Sequence, residues 1–225
     1  MTGVVDDLAV RMAAQVAAWD AADDGRAVFL DCYAVMTRSV GRSLGDGRFA
    51  DPAWVARLLE RFADYYFASL TDTSPVAEPW LLAHTAAVDR GASALQLLLS
   101  GVSAHINYDL VLTLVDVLED EWPALDAGGR ARRQRDYDAI NAVIADPDDL
   151  VQDTVLERRA PALAVVDPLF GRLDERLAVR LLSGWRRRVW REAVTLLDER
   201  ESERRVARVR TLEQQCARRA RWILL

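Results

Sequence analysis

The 225-residue chain predicts an all-α fold, a multi-helix bundle closed by a long charged C-terminal helix, on three observations. Apolar residues recur at three- and four-residue spacings almost throughout. No stretch alternates with the period of two that a half-buried strand requires, and the junctions between periodic runs are marked by Gly, Pro and Asp. A composition of 51% hydrophobic and 28% charged residues belongs to a globular chain rather than a disordered one. At this length folding buries roughly 70% of the unfolded surface, so the core needs neither disulfide nor structural metal.

The periodic runs predict helices over residues 4–19, 27–41, 52–70, 79–90, 92–121, 130–145, 148–159, 161–166 and 173–222. Asp51 ahead of Pro52 reads as an N-cap followed by proline at the first helical position. Glu78 ahead of Pro79 repeats the pattern with a poorer cap. The junctions fall at residues 45–47, 71–79, 128–129, 146–149 and 167–171, none long enough for an interdomain linker, and no repeat is present, so residues 1–225 read as a single domain. In the last run, Glu199 to Arg221 is densely charged around a thin seam of Val206, Val209, Leu212 and Cys216. Such a helix is expected to lie along the bundle surface or to pair with a second copy as a homodimer.

Charge is unevenly spread. From Arg172 onward there are 15 Arg and 8 acidic residues, a net of +7, which leaves −13 on the first 171 residues; the chain contains no Lys. The Trp185 to Trp190 cluster distributes Arg186, Arg187 and Arg188 over roughly 200° of helix, so they form no single stripe. With a sequence pI near 5.1, nucleic acid is not an expected partner. These arginines are expected to pair with acidic groups of other helices, or to cap a pocket that accepts a carboxylate or phosphate. Cys32 and Cys216 lie far apart, form no CxxC motif, and follow an N-terminus bearing Asp6 and Asp7 where an export signal would be basic, so a cytoplasmic location is expected. The most apolar run, around Ala94 to Leu99, meets Ser100, Gly101, Ser103 and His105 well short of about 20 residues, so no membrane crossing is expected.

Chemistry centres on His105, because the only other histidine is His84. His105 lies within the most apolar predicted helix with Asp109 four residues on, a spacing that puts both side chains on one face. A carboxylate so placed orients an imidazole and raises its basicity. Asn107 points nearly the opposite way. On the following helix Asp138 and Asn141 share a face, and antiparallel packing across Gly128 and Gly129 would turn them toward the same cavity as His105 and Asp109. Tyr66 and Trp80, the latter one turn before His84, are candidate apolar walls. The His105–Asp109 pair equally fits a buried hydrogen bond that ties helices together.

The segments around these residues, A-H-I-N-Y-D-L (His105, Ile106, Asn107, Asp109, Leu110), D-Y-D-A-I-N, W-V-A-R-L-L-E-R-F-A-D-Y-Y-F and P-W-L-L-A-H, together resemble a family of bacterial helical proteins of unknown function, over about Phe29 to Trp190. The resemblance implies an all-helical fold with a shared polar centre and supplies no reaction.

Other chemistries find little footing. HExxH, G-x-S-x-G and phosphate-binding glycine loops are absent, and no organic cofactor is expected. A divalent ion would have to lean on Asp109, Asp116, Asp138 and Asn141. The expected function is therefore an enzyme that processes a small, mostly apolar metabolite by general acid-base chemistry (isomerisation, cyclisation or hydrolysis). His105, Asp109 and Asp138 would be its catalytic groups, and Asn107, Asn141, Tyr66 and Trp80 its substrate contacts. The alternatives are a noncatalytic helical protein that binds a ligand or partner, and a metal-dependent hydrolase.

Overall fold

The computed structural model describes residues 2–71, 75–89, 91–144 and 184–225, and these contain helices and no strand. Helix α1 (Thr2–Ala21) packs along α2 (Arg26–Arg42), and both meet α3 (Pro52–Ala68) or the short 3-10 turn before it. Asp51 caps α3 as its place before Pro52 requires, its carboxylate accepting the Trp54 N–H at 2.9 Å. Helix α4 (Glu78–Val88) starts one residue earlier than expected. Glu78 is its first helical residue rather than its cap, and the Glu78 N–H is satisfied from a distance by the Glu213 carboxylate at 2.9 Å.

The expected helix over residues 92–121 is three pieces: α5 (Ala94–Ala104), a π turn (His105–Asp109) and α6 (Leu110–Leu118). Ser93 and Gln96 form a full capping box at its start. In the π turn the Leu110 N–H reaches back to the His105 carbonyl, and the Asp109 carbonyl accepts the Thr113 hydroxyl at 2.8 Å. The polar residues Ser100, Ser103 and His105 do not end the helix, since all of them are buried in the bundle. Ala94–Leu118 is thus 25 residues, long and apolar enough to span a bilayer by length and composition, and most of it is covered by other helices. That corrects the expectation of a run too short to do so.

Among the described residues helix α7 (Ala127–Ile144) packs on α2, whereas the π turn and α6 pack on α3. The single terminal helix expected over 173–222 is broken at residues 199–201 into α8 (residues 184–198) and α9 (Ser202–Leu224). No Gly or Pro marks the break. It follows from two docking sites. Trp122 Nε1 donates to Asp198 at 2.8 Å and Tyr137 Oη to the Arg186 carbonyl at 2.8 Å, holding α8 against α7 and the loop before it. Helix α9, by contrast, buries Leu212, Cys216, Ala217 and Ala220 on the side of α4 and α5, and Arg221 pairs with Glu78. Of the expected seam, Val206 is exposed. The helices expected over 148–159 and 161–166, and the start of that over 173–222, lie outside the described residues.

Candidate functional site

The site is built where α2, α3 and α4 converge on the π turn. Phe29 and Tyr33, one turn apart on α2, and Phe62 and Tyr66, one turn apart on α3, point inward with Trp80 of α4 and surround His105. The Phe62 ring stacks on the imidazole at a centroid distance of 3.5 Å and an interplanar angle of 6°. Tyr33 meets it edge-on at 4.4 Å, Phe29 at 5.6 Å, and Tyr66 and Trp80 lie at 6.0 Å. Close approach of α5 to α2 is what seats Phe29. A Cβ on Gly101 would fall 2.6 Å from the Phe29 ring, so only glycine fits there.

Within this aromatic box the polar groups form a chain. His105 Nδ1 lies 2.9 Å from Asp109 Oδ2, and the same oxygen accepts the Trp80 indole N–H at 2.8 Å. Both partners are buried. Burial pushes the Asp109 carboxyl well above the usual carboxylate range, the Trp80 hydrogen bond pulling weakly the other way. Burial likewise pushes the His105 imidazolium well below its ordinary value, with the positive Arg186 adding to the effect. The two directions agree: the uncharged pair is favoured. The second ring nitrogen, Nε2, points away from this contact. That Nε2 is fully buried and has no hydrogen-bond partner.

On the outer side of Phe29, Tyr66 and Trp80 a cavity of about 10 Å³, floored by Gly101 and walled by His84, has room for about one water. His84 is half-buried, stacks on Trp80 at 5.1 Å, and lies 3.0 Å from Ser69 Oγ. Because the Ser69 hydroxyl already donates to the Tyr66 carbonyl at 2.6 Å, the His84 Nε2 is the donor in that pair. Burial, with Arg26 helping, pushes the His84 pKa down to about 4.

A match to one family model runs over nearly the whole chain, residues 5–225. The chain belongs to DUF5995, a family of unknown function. No curated protein and no solved structure matches it. The match extends beyond the Phe29 to Trp190 span of the resemblance read from sequence, taking in α1 and α9 of this DUF5995 chain.

The structure brings His105, Asp109, Trp80 and Tyr66 together and parts the remaining candidates from them. Asp138 is exposed on α7, so it is no second acid for His105. The reason is the helix register: the inward residues of α7 are Asp136, Tyr137 and Ile140. Asp136 is the buried carboxylate, accepting the N–H groups of Ala50 at 2.7 Å and Asp51 at 3.0 Å. Asn141 is half-buried with its Oδ1 unpartnered. Asn107 is buried and donates to the Ser103 carbonyl at 3.1 Å within its own helix. Of the carboxylates considered for a metal, Asp116 is exposed and bound to Arg61 and Tyr65. Among the described residues no three His, Cys, Asp or Glu side chains converge as a metal site. Phe29, Tyr33 and Phe62 were missed in sequence. Their signal was the one-turn aromatic spacing repeated on two helices.

Proposed function

We propose that this chain is an acid-base enzyme acting on a small, mostly apolar molecule, with His105 Nε2 as the atom that gives and takes the proton. The observation behind this is the unpartnered Nε2 itself. A buried polar atom left unbonded costs about 1–3 kcal/mol, a cost that a purely structural pair need not carry. A second observation is the π turn that presents it, a local backbone form that recurs at functional sites. In this reading the neutral pair works as a relay, with the acid proton between Asp109 Oδ2 and Nδ1 and the imidazole proton on Nε2. When Nε2 releases its proton to a ligand, the Asp109 proton passes to Nδ1, so the imidazole never has to hold a positive charge in an apolar box. Run in reverse, the relay takes a proton from the ligand. Trp80 holds the Asp109 oxygen that makes this work. Isomerisation, cyclisation and hydrolysis all use such a step.

Closure of the core favours a second reading, in which the pair fastens α4 to the π turn and does no chemistry. Nitrogen-15 spectra of labelled histidine, recorded while phenol is added, separate the two. Phenol offers one hydroxyl on an apolar ring. Under the enzyme reading it shifts the His105 Nε2 resonance saturably and raises Tm, and His105→Phe abolishes the Tm effect. An Nε2 resonance indifferent to phenol, with no change in Tm, leaves the fastener.

A further inference from the structure

We propose a second ligand site, apart from the His105 box: a cavity of about 250 Å³ between α7 and the chain entering α3, arranged in charge for a small zwitterion, a free α-amino acid. It holds whether or not His105 moves protons.

The long wall of this cavity is one face of α7. Gly129, Arg132, Arg133 and Asp136 all line it, and their spacings of three and four residues put them on a single side of the helix. Ala50, Asp51 and Leu125 close it.

At one end acids outnumber bases. Asp136 is 2% exposed, and its two oxygens accept the Ala50 N–H at 2.7 Å and the Asp51 N–H at 3.0 Å, which draws Asp51 and Asp136 together. Arg133 serves this end but is shared: Nη1 meets Asp51 at 2.7 Å while Nε and Nη2 donate to Glu121, each at 2.7 Å. No ion pair reaches Asp136 among the described residues. A carboxylate has about four acceptor sites, so about two remain on Asp136 after its peptide bonds. A buried carboxylate in that state gains most from a positively charged donor.

The other end is the reverse. Arg132 stands four residues before Asp136, close enough in sequence to pair with it, yet among the described residues it makes no ion pair or hydrogen bond. Its Nη1 lies back toward the helix start, 3.9 Å from where a Cβ on Gly128 would stand. Asp126, the acid at that end, already accepts the Gly129 N–H at 2.6 Å.

Carboxylates at one end and an uncommitted guanidinium at the other match a ligand with an ammonium and a carboxylate. A simple amine would satisfy Asp136 and bring its charge toward two arginines with nothing to offer them. A simple acid would suit Arg132 and meet Asp51 and Asp136 with like charge. Leu125 and Ala50 give an aliphatic side chain its contact, and the volume is below that of pockets for drug-sized ligands.

The test is calorimetry on the full chain with L-alanine and L-leucine, each against its amide and its deaminated acid, propionate or isocaproate. At least one amino acid should bind about tenfold or more tightly than both of its analogues. Arg132→Gln alters an exposed side chain and should lower that amino acid's affinity about tenfold while leaving its amide unmoved. Should the variant fail to fold, the three-way comparison on the unmodified protein decides alone. An amide that matches its amino acid removes the carboxylate end, and an acid that matches removes the ammonium end; either overturns the proposal. An amino acid bound equally by Arg132→Gln sits elsewhere and overturns it too, as does the absence of binding by both amino acids.

Discussion

Trp80 Nε1 donates to Asp109 Oδ2 at 2.8 Å, joining α4 to the π turn through the same oxygen that meets His105. Trp80→Phe keeps most of the ring and removes this donor. It should cost about 1–2 kcal/mol in urea unfolding, and it should also broaden or shift the His105 ring resonances because Asp109 loses the contact that aims it. Unchanged stability together with unchanged histidine spectra would show that the indole N–H does not hold Asp109.

Gly101 marks the closest approach of α5 to α2. In Gly101→Ala the added Cβ would sit 2.6 Å from the Phe29 ring. Overpacking of this kind costs about 1–3 kcal/mol, against a gain of about 1 kcal/mol in helix propensity. The net expectation is destabilisation with a displaced Phe29, read from the Cm in urea and from the ring-current shift on His105. A more stable variant would refute the tight contact.

His84 should make the protein acid-labile. Its pKa is pushed down to about 4 from an ordinary 6.5, so between those values the unfolded chain binds a proton that the folded chain does not. Stability from this group is complete above pH 6.5, falls as pH drops toward 4, and levels off below. The loss amounts to at most about 3 kcal/mol. The difference in unfolding free energy between the unmodified protein and His84→Gln should follow that curve. A pH-independent difference would contradict the burial of His84.

Asp136 and Asp138 are two residues apart and should behave oppositely. Asp136→Asn replaces one acceptor with an amide group facing the Ala50 or Asp51 N–H, at a cost of about 1–3 kcal/mol. Asp138→Asn changes an exposed group and should fall within about 0.5 kcal/mol of the parent. Equal effects in thermal melts would mean that α7 does not present Asp136 to the start of α3.

The amino-acid pattern by itself determined the helical class, the Asp51 cap on α3, and the pairing of His105 with Asp109. Each is a local consequence of spacing: apolar residues three and four apart make one stripe, a short acid before proline caps a helix, and i, i+4 residues face one another. Asp138 and Asn141 show where that reasoning stops. Their mutual spacing was legible, but whether their face turned inward depended on how α7 settles on α2, where Tyr137 and Ile140 offer more apolar surface to bury. The break at residues 199–201 was equally hidden. No Gly or Pro stands at Glu199, Arg200 and Glu201, only a run without apolar residues from 198 to 205 that an exposed stretch of helix would also show, and the chain turns there because Trp122 and Tyr137 hold one half while α4 and α5 hold the other. What only the tertiary structure decided is the enclosure around His105. Phe29 and Tyr33 come from α2 and Phe62 from α3, and their approach to the imidazole is set by packing between helices, which no local spacing encodes.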